Sequence, residues 1–541
     1  MGENLLYEGG YILYNGNMKS IREYHEATKH SWEKLYQDNH TLDWSNQPNP
    51  FRAYPGCSRI ALDSSFEKMN DHLSKVWFHQ NITPRSEPIT PATISTLLYY
   101  SMAISAWKSY RGIEPWSLRV NPSSGDLHPT ETHIYTHNIL GILNGAYHYF
   151  VKDHLLEQRA VGDIAPSLWK MLGGASPVPP VIIGLNTIFW REAWKYQSRA
   201  LRYCYLDLGH AMAAIKVAAR GLGFSVTFIG GFSDDALRQF LCFDKTDEYP
   251  LLFVAVDIQQ PVVGMNLKEI QKGDIHASIR INRLSDERVE YPLIDTGHAL
   301  TSSNYDVGTS RRYSSRVNQP CKEDVQVIPM NTGTPAHEYP LRWTIRHRRS
   351  AVDFDGKTTM PNATFLFLMR LLCASLHSDY LRSGDSPLII PFLYVHRVEG
   401  IERGVYRLDR AAGRLFLHSR GDVRTVAREL SLNQGIAGDS AFAVSFISNF
   451  DYALQKYGDR GYRYIHFEAG FLGHALYLGA TATGYDGTGI GAFIDDEVHT
   501  FLKTPASQQV VYHFTVGKRV DDPRISTLPS YANVHDDEED V

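Results

Sequence analysis

The five cysteines (57, 204, 242, 321 and 373) form no CxxC pair and are scattered through 541 residues. That spacing excludes a zinc ribbon and a disulfide framework, and it suits a reducing compartment. No apolar run reaches membrane-spanning length, because FLFLMRLLCASL is broken by Arg370. MGENLLYEGGYILYNG has no basic flank ahead of an apolar core, so no signal peptide is expected. MGENLL also lacks the Ser or Thr that a myristoylation signal carries at its sixth position. A formal net charge of −5 supplies no basic field for nucleic acid or anionic lipid. The expectation is a cytoplasmic chain with neither a nucleic-acid nor a membrane partner.

Common catalytic signatures are missing too. HEATKH sets His25 and His30 five apart, so they diverge on a helix and do not make an HExxH zinc site. GYDGTGIG (484–491) follows a helix, whereas a dinucleotide fingerprint follows a strand. No GxSxG or P-loop occurs. Asn81-Ile-Thr83 is a sequon without any other sign of secretion. The tail HDDEEDV reads as a solvated acidic end.

What the chain does contain is itself, twice. Lys195-Tyr196, Arg199 and Arg202-Tyr203 recur as Lys456-Tyr457, Arg460 and Arg463-Tyr464, a spacing of 261 positions. At the same spacing Asp207 matches Glu468, and Gly209, Gly223, Gly230 and Phe232 match Gly470, Gly484, Gly491 and Phe493. Upstream, Gly145 and Tyr147 match Gly404 and Tyr406 at a spacing of 259. A repeat of this size means two domain-sized copies fused into a pseudo-dimer, not a solenoid. The expected division is 1–265, a linker over 266–335 rich in Ser, Asn, Gly and Pro in its later part, and 336–541.

Each copy reads as α+β. LLFVAVDI, VVYHFTVG, THIYTHNI and PFLYVHRV are apolar and β-branched, as strands are. LDLGHAMAAIKVAARGLG and FEAGFLGHALYLGATATG mix Ala and Gly with larger apolar residues. Small residues let helix backbones approach, so these helices are expected to form the packing surface between the halves; two ordinary core helices are the plainer reading.

Two polar stretches stand out. RVNPSSGDLHPTE builds a rigid turn, with proline fixing φ and glycine permitting φ > 0. Its worn copy at a spacing of 259 is LRSGD, where Leu381 and Arg382 replace Pro122 and Ser123. In RHRRSAVDFDG, adjacent arginines before a serine suit a phosphate, although taken alone the stretch reads first as a solvated basic run.

RRS near a domain start, a PSSG turn before an edge strand, and a glycine-rich segment after an alanine-rich helix together resemble the nitroreductase superfamily. AYPGCSRIAL, KYQSRALRYCYLDLGHAMAAIKVAARGLG and KYGDRGYRYIHFEAG are similar to its SagB-type dehydrogenase branch, which includes azoline oxidases. The resemblance implies two fused FMN-dependent domains forming an intramolecular pseudo-dimer, with the chain itself monomeric. It implies that Arg348, Arg349, Ser350 and the late Arg524, with Lys518 and Arg519 near it, hold the FMN phosphate. Gly489 and Gly491 would flank the ring, and Pro122, Ser123, Ser124 and Gly125 would lie on it from the other copy. The mirror site would have WFHQ (77–80) in place of RRS and Arg382 where the ring belongs, so one FMN per chain is expected. RRSAV departs from the pattern by carrying Val352 where a further arginine is common.

FMN accepts hydride, while the protein orients the ring and stabilises charge along its edge, here through Ser123 and Ser124. The branch links a Lys-Tyr pair to proton removal, which makes Lys195 and Tyr196 catalytic candidates. Arg191 and Arg199 are candidate cations to lower the lysine pKa. Bracing a helix start is the plainer role for these residues. His128 is a further proton-donor candidate, or a structural hydrogen-bonder. The expected activity is oxidation of a small heterocyclic or amino-acid-derived metabolite, with O2 reoxidising the flavin. An NAD(P)H-dependent nitro- or quinone reductase and a non-catalytic scaffold are the alternatives.

Overall fold

Runs of β-branched and aromatic residues build two sheets that follow one plan. The computed structural model describes residues 6–8, 11–13, 18–78, 85–111, 113–256, 280–302, 327–329, 335–382 and 384–531. In the N-terminal half the strands lie in the order Val226–Ile229, Tyr249–Val256, Val181–Thr187, Thr130–Thr136, Gly145–Phe150, Leu155–Val161 and Ser58–Ala61. The C-terminal half repeats that order with Asp486–Ile490, Gln509–Gly517, Phe442–Ser448, Ile389–Val395, Gly404–Asp409, Arg414–Arg420 and Val327–Pro329. All neighbours are antiparallel. The turn-bearing strand Thr130–Thr136 is therefore central, not the edge strand expected. It lies between Val181–Thr187 and Gly145–Phe150, which is why all seven of its residues are buried.

One face of each sheet is covered by short helices, Ala165–Met171 and Asp234–Phe240 in the first half and Arg424–Leu430 and Asp495–Leu502 in the second. The other face meets a core continuous through both halves. At its centre cross the helices Ala200–Gly221 and Gly461–Ala482. They are apolar around most of their circumference, as helices enclosed on every side must be. Gly209 and Gly470 mark the crossing. A Cβ on Gly209 would lie 2.3 Å from the Phe467 carbonyl oxygen, and one on Gly470 would lie 2.0 Å from that of Leu206. The small residues thus bring backbone against backbone.

Two ion clusters related by the repeat clamp the halves. Asp495, at the start of a C-half helix, takes Arg199 at 3.1 Å and Arg202 at 2.9 Å from the N-half. Asp234 takes Arg460 and Arg463 of the C-half in the same way. Burial raises the Asp495 pKa, but Arg199 and Arg202 outweigh it and hold the carboxyl at about 2.

The chain ends reach across as well. The helix Ile21–Ala27 lies on the C-half, where His25 bonds Tyr462 and Gln509 at 3.2 and 3.1 Å. The strand Ser526–Leu528 pairs with Ile104–Ser109 of the N-half, and Tyr531 donates to the Val151 carbonyl at 2.9 Å. Within the span expected as linker, the helix Pro292–Ser302 packs at the junction. Its Thr301 receives Arg463 Nε at 3.0 Å, and Gly297 lies against Tyr24 and Leu201. Residues 303–326, 330–334 and the sequon Asn81-Ile-Thr83 lie outside the described residues. No helix among the described residues is long and apolar enough to cross a membrane.

Candidate active site

The strand Trp116–Arg119 ends in the Pro122–Gly125 turn, which closes as a single helical turn over Ser124–Asp126. Gly125 sits at φ +59°, and a Cβ there would meet the Tyr196 hydroxyl at 2.6 Å. Glycine is thus required twice, for the backbone sign and for the space. The turn is pinned from beneath by Asp207 on the N-half central helix. Its carboxylate accepts from Ser123 Oγ at 2.7 Å, from Ser124 Oγ at 2.9 Å and from the Ser124 backbone N–H at 3.0 Å.

From the other half come the residues after the helix Leu341–His347. Arg348 is buried and donates to the Arg119 and Val120 carbonyls at 3.0 and 3.2 Å, so it reaches into the base of the opposing turn. Its Nη1 is buried with no partner among the described residues. Burial lowers the Arg348 pKa from its ordinary value. Ser350 Oγ bonds the Tyr477 hydroxyl at 2.9 Å, and the Gly489 N–H donates to that same hydroxyl at 2.9 Å.

These pieces enclose one cavity of about 380 Å3. Pro122, Ser123, Ser124, Gly125, Tyr196 and Asp207 line it from the N-half, and Arg348, Ser350, Gly489, Gly491, Tyr477 and Tyr512 from the C-half. A Cβ on Gly489 would fall 1.7 Å from the Tyr512 hydroxyl, and one on Gly491 would fall 2.1 Å from the Tyr203 ring. The wall is flat because those two residues carry no side chain. Through Trp116, Leu118 and Ser350 the cavity continues into a wider groove of about 1050 Å3 that holds Arg349, Lys518 and Arg519. An aromatic, glycine-walled slot leading to a groove with Arg349, Lys518 and Arg519, the last paired with Asp486 at 3.2 Å and Asp521 at 2.8 Å, matches a planar ring with an anionic tail. The orphaned Arg348 Nη1 leaves one buried donor for such a ligand.

Of the residues expected at the site, Pro122, Ser123, Ser124, Gly125, Tyr196, Arg348, Ser350, Gly489 and Gly491 line the cavity, and Arg349 lines the groove. Arg524 is not brought there. It points outward, paired with Asp522 at 2.7 Å and set over the Tyr110 ring. The strand Gln509–Gly517 delivers its next two residues, Lys518 and Arg519, to the groove, while Arg524 lies beyond the turn that follows. Lys195 lies behind the turn, its Nζ 3.2 Å from where a Gly125 Cβ would be. It makes no hydrogen bond or ion pair within the described residues, and its ammonium sits 5.5 Å from the Tyr196 ring centroid. The repeat residue Lys456 is instead tied to Asp385 at 2.7 Å. Arg191 and Arg199 are engaged by Glu131 and Asp495, so neither is aimed at Lys195. Burial, then Glu192, lifts the Tyr196 pKa well above that of an ordinary phenol. His128 is buried against Asp126 at 2.9 Å and does not line the cavity.

The mirror position is filled by the protein itself, though not by Arg382, which is exposed. Asp379 accepts from the Gly230 and Gly231 N–H groups at 2.8 Å each. Tyr380 stacks on Tyr464 at 3.9 Å, against the Gly230 wall. Where RRS would be needed, Trp77 is buried with its Nε1 donating to the Leu371 carbonyl at 3.1 Å.

Sequence reasoning missed Glu192 and the depth of Asp207. Burial, then the neighbouring Asp207, raises the Glu192 pKa well above that of an ordinary carboxyl. Burial lifts Asp207 to about 6, against the opposing pull of its serine donors. The match of Asp207 to Glu468 was a visible signal, but a partner on the preceding helix was not.

Comparison with known proteins agrees with this geometry. The model of the Nitroreductase family matches twice, over residues 85–256 and 345–518. MJ1384 of Methanocaldococcus jannaschii, described as a nitroreductase, is 24% identical over 175 residues, covering 32% of this chain and 82% of its own length. The trifolitoxin-processing protein TfxB of Rhizobium leguminosarum bv. trifolii is 32% identical over 177 residues, which is 30% of this chain and just under half of TfxB, 46%. A crystal structure from Anabaena variabilis, likewise described as a nitroreductase, superposes with a TM-score of 0.72 at 25% identity, over 93% of this chain and 100% of that one.

Proposed function

Because the chain belongs to the nitroreductase family, with two copies of the fold in tandem, we propose that it is an FMN-dependent oxidoreductase with a single composite site. One observation carries this reading. Complementary parts, Pro122–Gly125 from one half and Arg348 with Ser350 from the other, line one cavity, while Asp379 and Tyr380 close the mirror position.

In this reading Ser350, Arg349, Lys518 and Arg519 hold the phosphate, as charge-assisted donors do. Arg348, the turn and the Gly489–Gly491 wall hold the ring, and Tyr196, Tyr203 and Tyr512 exclude water from it. Bound FMN supplies two-electron hydride chemistry. Lys195, without an ion-pair partner among the described residues and next to Gly125, stands at the composite site as a catalytic candidate, whereas Lys456 is fixed to Asp385 on the closed side. The similarity to the trifolitoxin-processing protein TfxB supports a SagB-type dehydrogenase or oxidase; a heterocyclic or amino-acid-derived metabolite as substrate and O2 as final acceptor are our assignment. The bounds 1–265, 266–335 and 336–541 remain our proposed domain division.

Anaerobic addition of NADPH to the FMN-loaded protein tests the reaction class. A flavin that stays oxidised is expected; prompt bleaching would instead make the protein an NAD(P)H-dependent reductase. Protein that remains colourless after incubation with FMN would overturn the cofactor assignment itself.

A further inference from the structure

Beneath the Ser123–Ser124 turn lies a pair of acidic side chains that the reading above does not use. Glu192 is fully buried on the helix Phe189–Tyr196, and Asp207 is 2% exposed on the central helix. Ser123 Oγ lies between them, 2.7 Å from Asp207 and 3.4 Å from Glu192. Ser124 Oγ lies 2.9 Å from Asp207, and both serines line the cavity. No arginine, lysine or histidine forms an ion pair with either carboxyl among the described residues. Glu192 Oε2 is buried without a partner.

The repeat supplies an internal control. Glu468, the counterpart of Asp207, is held by Arg410 at 2.5 Å and by the Leu388 N–H at 2.8 Å. Ala453 stands where Glu192 would be, and Val151 where Arg410 would be. On the closed side, then, a lone carboxylate is neutralised by a cation. On the open side two carboxyls are left to share one negative charge, which they can do only by retaining a proton.

We propose that Glu192 and Asp207 form the proton acceptor of the composite site, reached from the cavity through the Ser124 hydroxyl. This rests on the oxidoreductase reading. A proton leaving a substrate in the cavity binds Ser124 Oγ as the hydroxyl's own proton passes to Asp207, and the charge of the pair goes from minus one to zero. The pair takes the proton only; the hydride is the share of the cofactor proposed above. Lys195 and Tyr196 face the pair from the same helix as Glu192, Cys204 faces it from the central helix, and Tyr512 faces it from the strand Gln509–Gly517. Of these, Lys195 favours the charged form of Glu192. Burial has the opposite sign and is larger, so the Glu192 pKa lies well above that of an ordinary carboxyl, and burial lifts Asp207 to about 6.

Infrared spectroscopy of the full-length, FMN-incubated protein tests this without a substrate. The wild type is expected to show a protonated-carboxyl band at neutral pH that Glu192→Gln removes. A second band should titrate with a midpoint at about 6 and be absent from Asp207→Asn. On transfer to D2O the neutral-pH band should shift, and Ser124→Ala should slow that exchange by about tenfold or more, the effect of losing one hydrogen-bonded link. Absence of the band from the wild type, its survival in Glu192→Gln, or exchange unaffected by Ser124→Ala would overturn the proposal. The wild-type spectra need no variant to fold. Flavin absorbance on the same samples separates the two readings: FMN bound without the band sinks the proton acceptor alone, and the band without FMN sinks the cofactor.

Discussion

Replacing Gly209 by alanine sets two effects of known sign against each other. Gly209 lies in the interior of the helix Ala200–Gly221, where alanine gains about 1 kcal/mol in helix propensity. Propensity alone therefore makes the variant more stable. The structure says the reverse. The new Cβ would stand 2.3 Å from the Phe467 carbonyl oxygen and 2.9 Å from the Gly470 Cα, where ordinary contact begins at 3.4 Å. Both neighbours are backbone, so no side chain can rotate out of the way, and the helices must part by about 1 Å across a close-packed core. Overpacking of this kind costs about 1–3 kcal/mol, with rigid neighbours at the upper end. A net loss of about 2 kcal/mol remains after the propensity gain. Guanidinium unfolding would register it as a lower midpoint at an unchanged slope. Gly435→Ala is the control, since its Cβ meets only the Asp439 carboxylate at 3.6 Å, and it should be neutral or stabilising. A Gly209→Ala protein as stable as the wild type would refute the backbone contact between the halves.

Other consequences can be checked separately. Asp495→Asn strands Arg199 and Arg202 in a buried site and should cost about 3–5 kcal/mol, read by thermal unfolding, with Asp234→Asn behaving alike at the equivalent cluster. Arg348→Gln removes a charged donor from the cavity and should weaken FMN binding by about 10- to 100-fold in a fluorescence titration; unchanged affinity would exclude Arg348 from the cofactor site. The Asp207 pKa is raised from 3.8 to about 6, so the folded state holds a proton that the unfolded chain has released. Stability from this residue is thus fully present below about pH 3.8 and falls by up to about 3 kcal/mol as pH rises through about 6, a slope that Asp207→Asn should flatten.

Duplication was legible because it is written in spacing. A gap-free match from Lys195 to Phe232 can arise only from a shared fold, and the two sheets do share their strand order. The turn was legible because Pro122 and Gly125 restrict the backbone wherever they occur. Residues whose role depends on the partner element were harder to read. Arg524 looked like a phosphate ligand by its place late in the chain, but side-chain reach is set by the end of the strand at Gly517, which favours Lys518 and Arg519. Arg382 looked like the obstruction of the mirror site, yet Asp379 and Tyr380 precede the worn turn and fall directly on the Gly230 wall. Glu192 was invisible because its significance comes from Asp207 on another helix. The helix Pro292–Ser302 was hidden in a polar span, since its stability comes from packing at the junction and little from its own sequence.

The most direct measurement counts flavin against polypeptide. Protein saturated with FMN, freed of excess and quantified by absorbance together with amino-acid analysis, should carry one FMN per chain, held between Arg348 of one half and the Pro122–Gly125 turn of the other. Two per chain would mean that Asp379 and Tyr380 do not close the mirror position, and none would mean that the shared cavity is not a flavin site.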